Sequence, residues 1–482
     1  MAMVPHSPSV VKRLVCLTVL ASMALSGLAC SESNGSANAN TTSTRAAIAQ
    51  LPTLADDGGS TCELKESVTS QGGRYSTNVD LTASVALPGE SGVDVVMTPK
   101  GAIAAVNQGD RAALYWIDPA TGEIDYTLDL PDTVSDIAFD GKGILAIATK
   151  NKIARLDIAS AVVVNEIKLD GVSRVALSPD GFIGVISGQK VHLYDASNTE
   201  VFSKVRDYVG VTDVEVRSCG NSQLVYVTSF RNTSFVDLEN KRNPVQIARL
   251  EALDFTGDVQ WSLFSDSADT IKQNVADTRL YRVTLGRDGY LYIGGESAGT
   301  ATIFRWRGQP MSEEEQYGKT DPFLTRIDEY SQLHNSGAAH LPYYARVHPT
   351  EGILVTSQMS FPRLENTKAN AMRIGDIAGA ADGRLYFGGA AGAAIANREN
   401  LTIDGAPVGG YEGCDRAWMS VAPNFKARNF WTVLSEAGGK GIVQGVDAGY
   451  GYSAALSNAE SGTVPVTRGE QDSAVFLSFT AE

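Results

Sequence analysis

The sequence predicts an all-β fold: four-stranded antiparallel sheets repeated along the chain and closed into a ring. Three observations predict it. Residues 287–297 read RDGYLYIGGES and residues 381–391 read ADGRLYFGGAA, so D-G, L-Y and G-G recur in the same order and spacing. Gly101, Gly141 and Gly181 stand 40 residues apart, each in a turn between two short apolar runs. Hardly any stretch places apolar residues at i, i+3 and i+4, the period a helix requires. Four short strands per ~40 residues is the pattern of a β-propeller blade. About seven blades fit the chain, with eight reached if residues 343–372 form a blade of their own.

The elements follow in chain order. Lys12 and Arg13 precede the apolar run LVCLTVLASMAL, which has the length of a signal-peptide core and is too short to span a bilayer. Residues 1–29 therefore read as a signal peptide. The small-residue stretch SGLAC ending in Cys30 resembles the lipobox of bacterial lipoproteins, with Gly27 where that pattern usually carries Leu. The resemblance implies cleavage before Cys30 and lipid attachment to it. With Ser31 next, it also implies an outer-membrane address; ordinary secretion to the extracellular space is the alternative. Residues 31–60, rich in Ser, Asn, Thr, Ala and Gly, bury too little apolar surface to order themselves. Residues 30–60 are thus expected to form a disordered tether, leaving 61–482 as the propeller domain.

Within that domain, pairs of short strands flank tight polar turns. They read VDVVMTPKGAIAAVN (93–107), VSDIAFDGKGILAIAT (134–149), VSRVALSPDGFIGVISG (172–188), YRVTLGRDGYLYIGG (281–295), ARVHPTEGILVTSQ (345–358) and IGDIAGAADGRLYFGG (374–389). Asp-Gly suits such turns, because Gly reaches positive φ without a Cβ clash. Third strands follow as AALYWID (112–118), IARLDIA (153–159), VHLYDAS (191–197) and ATIFRWR (301–307). The final unit, GIVQGVD, YSAALSNA and SAVFLSF, ends one strand short of a blade, whereas VDLTASVAL (79–87) is a strand without a hairpin partner. Pairing the two closes the ring and removes its open edges.

SPDG followed by VHLYD resembles the YVTN/WD40-like repeats of bacterial β-propeller proteins. DGYLYIGGES…IFRW and DGRLYFGGAA are similar to the looser repeats of exported bacterial propellers. The resemblance covers residues 75–480 and speaks to architecture rather than chemistry.

Beyond the signal and Cys30, the cysteines are Cys62, Cys219 and Cys414. An exported protein sits where disulfides persist. Ring closure would bring Cys62 toward the last blades, so a Cys62–Cys414 bridge is expected, with free thiols as the alternative.

The chemistry is sparse. A net charge of -15 argues against nucleic acid as a partner. GESAG (295–299) matches the G-x-S-x-G nucleophile elbow, but β-branched and aromatic residues follow Ser297 where a helix is needed. His334, His340 and His348 cluster in sequence without a metal-ligand spacing, and His192 reads as structural. Calcium loops, phosphate loops and dinucleotide sites are absent from the pattern. No catalytic residue, cofactor or metal ligand is therefore assigned. Long connections at 251–280, 308–342, 360–373 and 397–417 carry Trp261, Tyr317, Tyr330 and Tyr411, with Tyr343 and Tyr344 at the close of the second, aromatics of the kind that recognition faces use.

The expectation is a non-catalytic cell-surface binding or scaffold protein for a protein or polysaccharide partner. The alternative is a lactonase-like hydrolase with a metal or serine at the central channel. Convergence of carboxylates and histidines on that channel would favour the hydrolase; charges scattered over the rim would favour binding.

Overall fold

The computed structural model describes Ile48 and residues 51–65 and 78–482, apart from 207, 237–239, 265–275, 299–303, 305–323, 326–338, 361, 363–369, 396, 412, 436–438, 461–465 and 470–472. Seven antiparallel sheets surround a central channel as the blades of one β-propeller, and among the described residues helical structure is all but absent. Blade 1 is built from Ser91–Thr98, Gly101–Gln108, Arg111–Ile117 and Ile124–Leu130, ordered from the channel outward. Blades 2 to 6 repeat the plan, with innermost strands Val134–Phe139, Val172–Leu177, Gly210–Cys219, Thr278–Leu285 and Met372–Gly379, and blade 5 adds a short fifth strand, Leu324–Thr325, parallel to its outer edge.

Blade 7 is composite. Gly441–Gly449, Tyr452–Ala459 and Val475–Ala481 come from the C-terminus, and Ala83–Leu87 supplies the outermost strand. Its register runs from Ala83↔Phe479 to Leu87↔Val475, so the predicted closure is the observed one. Each gap between neighbouring blades is filled by a separate apolar cluster, seven in all. The core is therefore a ring of wedges, and strand alternation sends successive residues into the wedges on either side.

Asp-Gly turns behave as their chemistry demands. Gly181, Gly289 and Gly383 have φ of 83, 80 and 87, and in two of these turns Asp288 and Asp382 accept the amide protons of Tyr290 and Arg384. All first-to-second-strand turns emerge on one side of the ring, here termed the hairpin face. Second-to-third-strand and blade-to-blade connections emerge on the opposite loop face.

Three expectations are corrected. The third strand of blade 5 is His340–Val347, followed by Leu354–Met359, so residues 343–372 complete that blade and lead into the next, and the described residues form no eighth blade. ATIFRWR does not take that place; its Phe304 stacks on Tyr343 at 3.8 Å between ring centroids. Cys62 is bonded to Cys219 instead of Cys414. Cys219 ends the innermost strand of blade 4 on the hairpin face, whereas Cys414 precedes the third strand of blade 6 on the loop face. A strand length of about 20 Å separates the faces, far beyond the ~7 Å Cα reach of a disulfide. Finally, residues 51–60 belong to the folded body: Leu54 donates its amide to the Pro99 carbonyl (2.8 Å) and Ser60 to that of Arg287 (2.6 Å).

Candidate functional site

The channel is lined by the seven innermost strands, and every one of them carries a β-bulge at the same level. The bulges fall between Gly92 and Asp94, Val134 and Asp136, Val172 and Arg174, Val211 and Asp213, Leu280 and Arg282, Ile374 and Asp376, and Val443 and Gly445. A bulge re-aims the side chain that follows it. Here it sets a ring of Asp94, Asp136, Arg174, Asp213, Arg282 and Asp376 around the channel. Gly445 completes the ring without a side chain, and a Cβ there would lie 2.8 Å from Asp94 Oδ1.

The innermost strand is an edge, so its channel-side amides have no strand partner. The carboxylates supply the missing acceptors. Asp213 accepts from Val214 of its own blade (3.1 Å) and Val283 of the next (3.0 Å). Asp376 accepts from Val446 (2.9 Å) and Asp136 from Val175 (2.8 Å), each in the following blade. One tier along the channel, Glu215 accepts from Val216 (2.7 Å) and Leu285 (3.1 Å). Asp447 likewise accepts from Ala448 (2.8 Å) and Met97 (2.6 Å), joining blade 7 to blade 1. Asp94 departs from the pattern, accepting from its own neighbour Val95 (2.8 Å).

Two arginines offset the acidity. Arg174 bonds Asp136 at 3.1 Å, and Arg282 lies 3.3 Å from Asp376. These groups face the channel, Asp136, Asp213 and Arg282 buried and the others half-buried. Burial pushes Asp376 and Glu215 up to about 7 and Asp447 up to about 6. It also drives Asp94 well above the usual carboxylate range, reinforced by the charges of Asp376 and Asp136. Burial works to strip the proton from Arg174, but Asp136, Asp213, Asp94 and Asp376 overcome it and hold that guanidinium charged.

Between this ring and the hairpin face lies a cavity of about 980 Å³. Its far wall is the segment 53–62, which crosses the channel mouth. Among the described residues no three of His, Cys, Asp or Glu are grouped to hold a metal ion.

The predicted site residues fare unevenly. Tyr343 and Tyr344 are core residues of blade 5, both fully buried, and not loop aromatics. Adjacent on one strand, they enter opposite wedges, Tyr343 toward blade 4 and Tyr344 toward blade 6. Trp261 lies in the outer strand Val259–Leu263 of blade 4, its ring 5.9 Å from Tyr226 and against Gly352. Tyr411 stays on the blade-6 insertion, 36% exposed. Tyr317, Tyr330, His334 and Cys30 lie outside the described residues. His340 and His348 bracket the strand His340–Val347 and so sit on opposite faces, unable to share a ligand. His340 instead lies 2.8 Å from Glu296, which also accepts from Tyr281. Ser297 is a fully buried strand residue opposite Thr278 and Leu341.

The charged ring went unrecognised in the sequence, yet a signal for it exists. GVDV, VSDI, VSRV, VTDV, LYRV, IGDI and VQGV each open an innermost strand, with Asp, Arg or Gly third.

No family model matches the chain, and no curated protein matches it significantly. Among solved structures, a chain of the Kuenenia stuttgartiensis hydrazine synthase aligns over 79% of this chain and 98% of its own, at 13% identity and a TM-score of 0.46. A chain of a mitotic checkpoint complex aligns over 87% and 98%, at 9% identity and a TM-score of 0.47. Likenesses this distant carry no functional information.

Proposed function

We propose that this protein is an exported propeller, anchored to the outer membrane through lipid on Cys30, that binds a protein or polysaccharide partner on its loop face without catalysing a reaction. One observation carries the reading: the insertions beyond the minimal blade leave from one face. The connections 299–339 and 392–414 join second to third strands of blades 5 and 6, and 264–277 and 360–371 join successive blades. The hairpin of Ser222–Val236 and Arg242–Asp254 extends in the same direction. Residues 51–65 lie along the hairpin face, opposite the side from which the insertions leave.

The hydrolase reading has one point in its favour, since carboxylates do converge on the channel. They are, however, engaged with backbone amides that have no other acceptor, and the described histidines lie elsewhere. Withdrawing Asp213 or Asp376 for proton transfer would strand buried amides, at about 1–3 kcal/mol each.

The test is affinity capture of the full-length protein from its own cells, beside a variant with residues 305–335 replaced by a short Gly-Ser linker and Tyr411→Ala. A stoichiometric partner captured by the wild type and lost from the variant supports the reading. No partner, together with turnover of a panel of lactones and esters that Asp213→Asn abolishes, would overturn it in favour of the hydrolase.

A further inference from the structure

The segment 51–65 crosses the ring from one side to the other. At blade 1, Lys100 Nζ donates to the Leu51 carbonyl (2.9 Å) and the Thr53 hydroxyl (2.8 Å). Leu54 packs into the wedge between blades 7 and 1. At mid-span, Arg287 of blade 5 forms a two-pronged ion pair with Asp57, whose Oδ2 also accepts the Tyr450 amide of blade 7 (2.8 Å). At the far side, Arg217 donates to the Cys62 carbonyl (2.9 Å) and Cys62 is bonded to Cys219 of blade 4. Lys65 then donates to the Asp288 carbonyl (2.9 Å). From blade 1 its contacts pass to blade 7, blade 5 and blade 4, and residues 53–62 line the cavity at the channel mouth on the way.

The two ends are held differently. Leu51 and Leu54 fix the blade-1 end by apolar burial, whereas residues 56–61, DDGGST, bury nothing apolar. The largely buried Asp57–Arg287 pair holds the middle of the segment, whereas the hydrogen bonds that hold residues 58–65 at a partly exposed mouth contribute little net stability. The covalent bond is therefore what keeps the far end down. Both of its cysteines are only half-buried, within reach of a small thiol.

We propose that Cys62–Cys219 is a redox lock on a strap that gates the hairpin-face mouth of the channel. A dithiol reductant opens it by thiolate attack on one sulfur, giving a mixed disulfide and one protein thiol. The second reductant thiol then displaces the other sulfur. Two electrons and two protons pass to the protein, which ends with two thiols, while the reductant becomes a disulfide. Released, residues 58–65 swing away about the Asp57–Arg287 pair and uncover the cavity floored by the charged ring. The inference stands apart from the loop-face reading, because it concerns the opposite face.

The experiment compares the intact protein, the protein treated with dithiothreitol, and a Cys62→Ser/Cys219→Ser variant that leaves Cys414 untouched. Hydrogen exchange at the Ser60 and Lys65 amides is expected to quicken about thirtyfold or more in the treated and variant proteins, while strand amides such as Val283 and Ile293 keep their protection. In a second measurement Ala138→Cys, which lines the cavity, is labelled by a maleimide faster in the serine variant background than in the disulfide-bonded one. Unchanged exchange at Ser60 and Lys65 would overturn the proposal. So would equal labelling rates, or an equal loss of protection in the blade-4 strands, which would make the bond a staple of the whole fold.

Discussion

Asp213 accepts two amide protons that no strand can satisfy, one from its own blade and one from the next. Asp213→Leu should therefore lower stability by about 2–3 kcal/mol, and Asp213→Asn, which keeps an acceptor, by less. Chemical denaturation would measure both, and a neutral Asp213→Leu would contradict the structural role. The same burial creates a pH dependence. Asp376, Glu215 and Asp447 hold their protons up to about 7, 7 and 6 when folded, whereas in the unfolded chain such groups ionise near ~4. Their contribution is fully present below the unfolded value and is lost as pH rises through the folded ones. The melting temperature should accordingly fall between about pH 4 and pH 7 and level off above, and Glu215→Gln with Asp447→Asn should flatten the curve. The residue types of this ring can be read in the repeated strand-opening motif. Their convergence cannot, because Asp94 and Asp376 meet only once the ring has closed.

At the scale of the blade, the doubled L-Y-x-G-G motif has a steric cause. A Cβ on Gly295 would stand 2.1 Å from the Arg279 carbonyl oxygen, and one on Gly389 2.0 Å from that of Arg373. Each glycine lies where the bulged inner strand leans onto the second strand, so the repeat records the bulge and not a ligand. Gly389→Ala should cost at least about 2 kcal/mol, since backbone must move to admit the methyl group; a thermal shift of less than a degree would refute this account. The blade-5 error arises at the same scale. ATIFRWR and HLPYYARV both alternate well enough to be a third strand, and local pattern does not say which one reaches Leu291–Ala298. The same ambiguity lets Tyr343 and Tyr344 pass for loop aromatics in the sequence, although they belong to that strand.

At the scale of the molecule, the ring depends on a pairing between residues about 390 positions apart, Ala83–Leu87 with Val475–Ala481. Val85 is 1% exposed in the last wedge, and Val85→Asp should cost about 3 kcal/mol or more and broaden the unfolding transition as blade 7 frays first. If the envelope reading is right, Cys30→Ser should move the protein from the membrane pellet to the soluble fraction, as followed by immunoblot of fractionated cells. Retention in the pellet would discount the anchor.

By itself the sequence determined the all-β class, the blade as repeating unit, the turns and the strand that completes the last blade. Strand alternation, Asp-Gly chemistry and an unpartnered edge are properties of short stretches, and a short stretch displays them in full. Only the tertiary structure decided which cysteine meets Cys62, which segment is the third strand of blade 5, where the channel charges converge and that residues 53–62 line its mouth. Those outcomes depend on which face of the closed ring each segment reaches, and that is set by the joint packing of seven wedges.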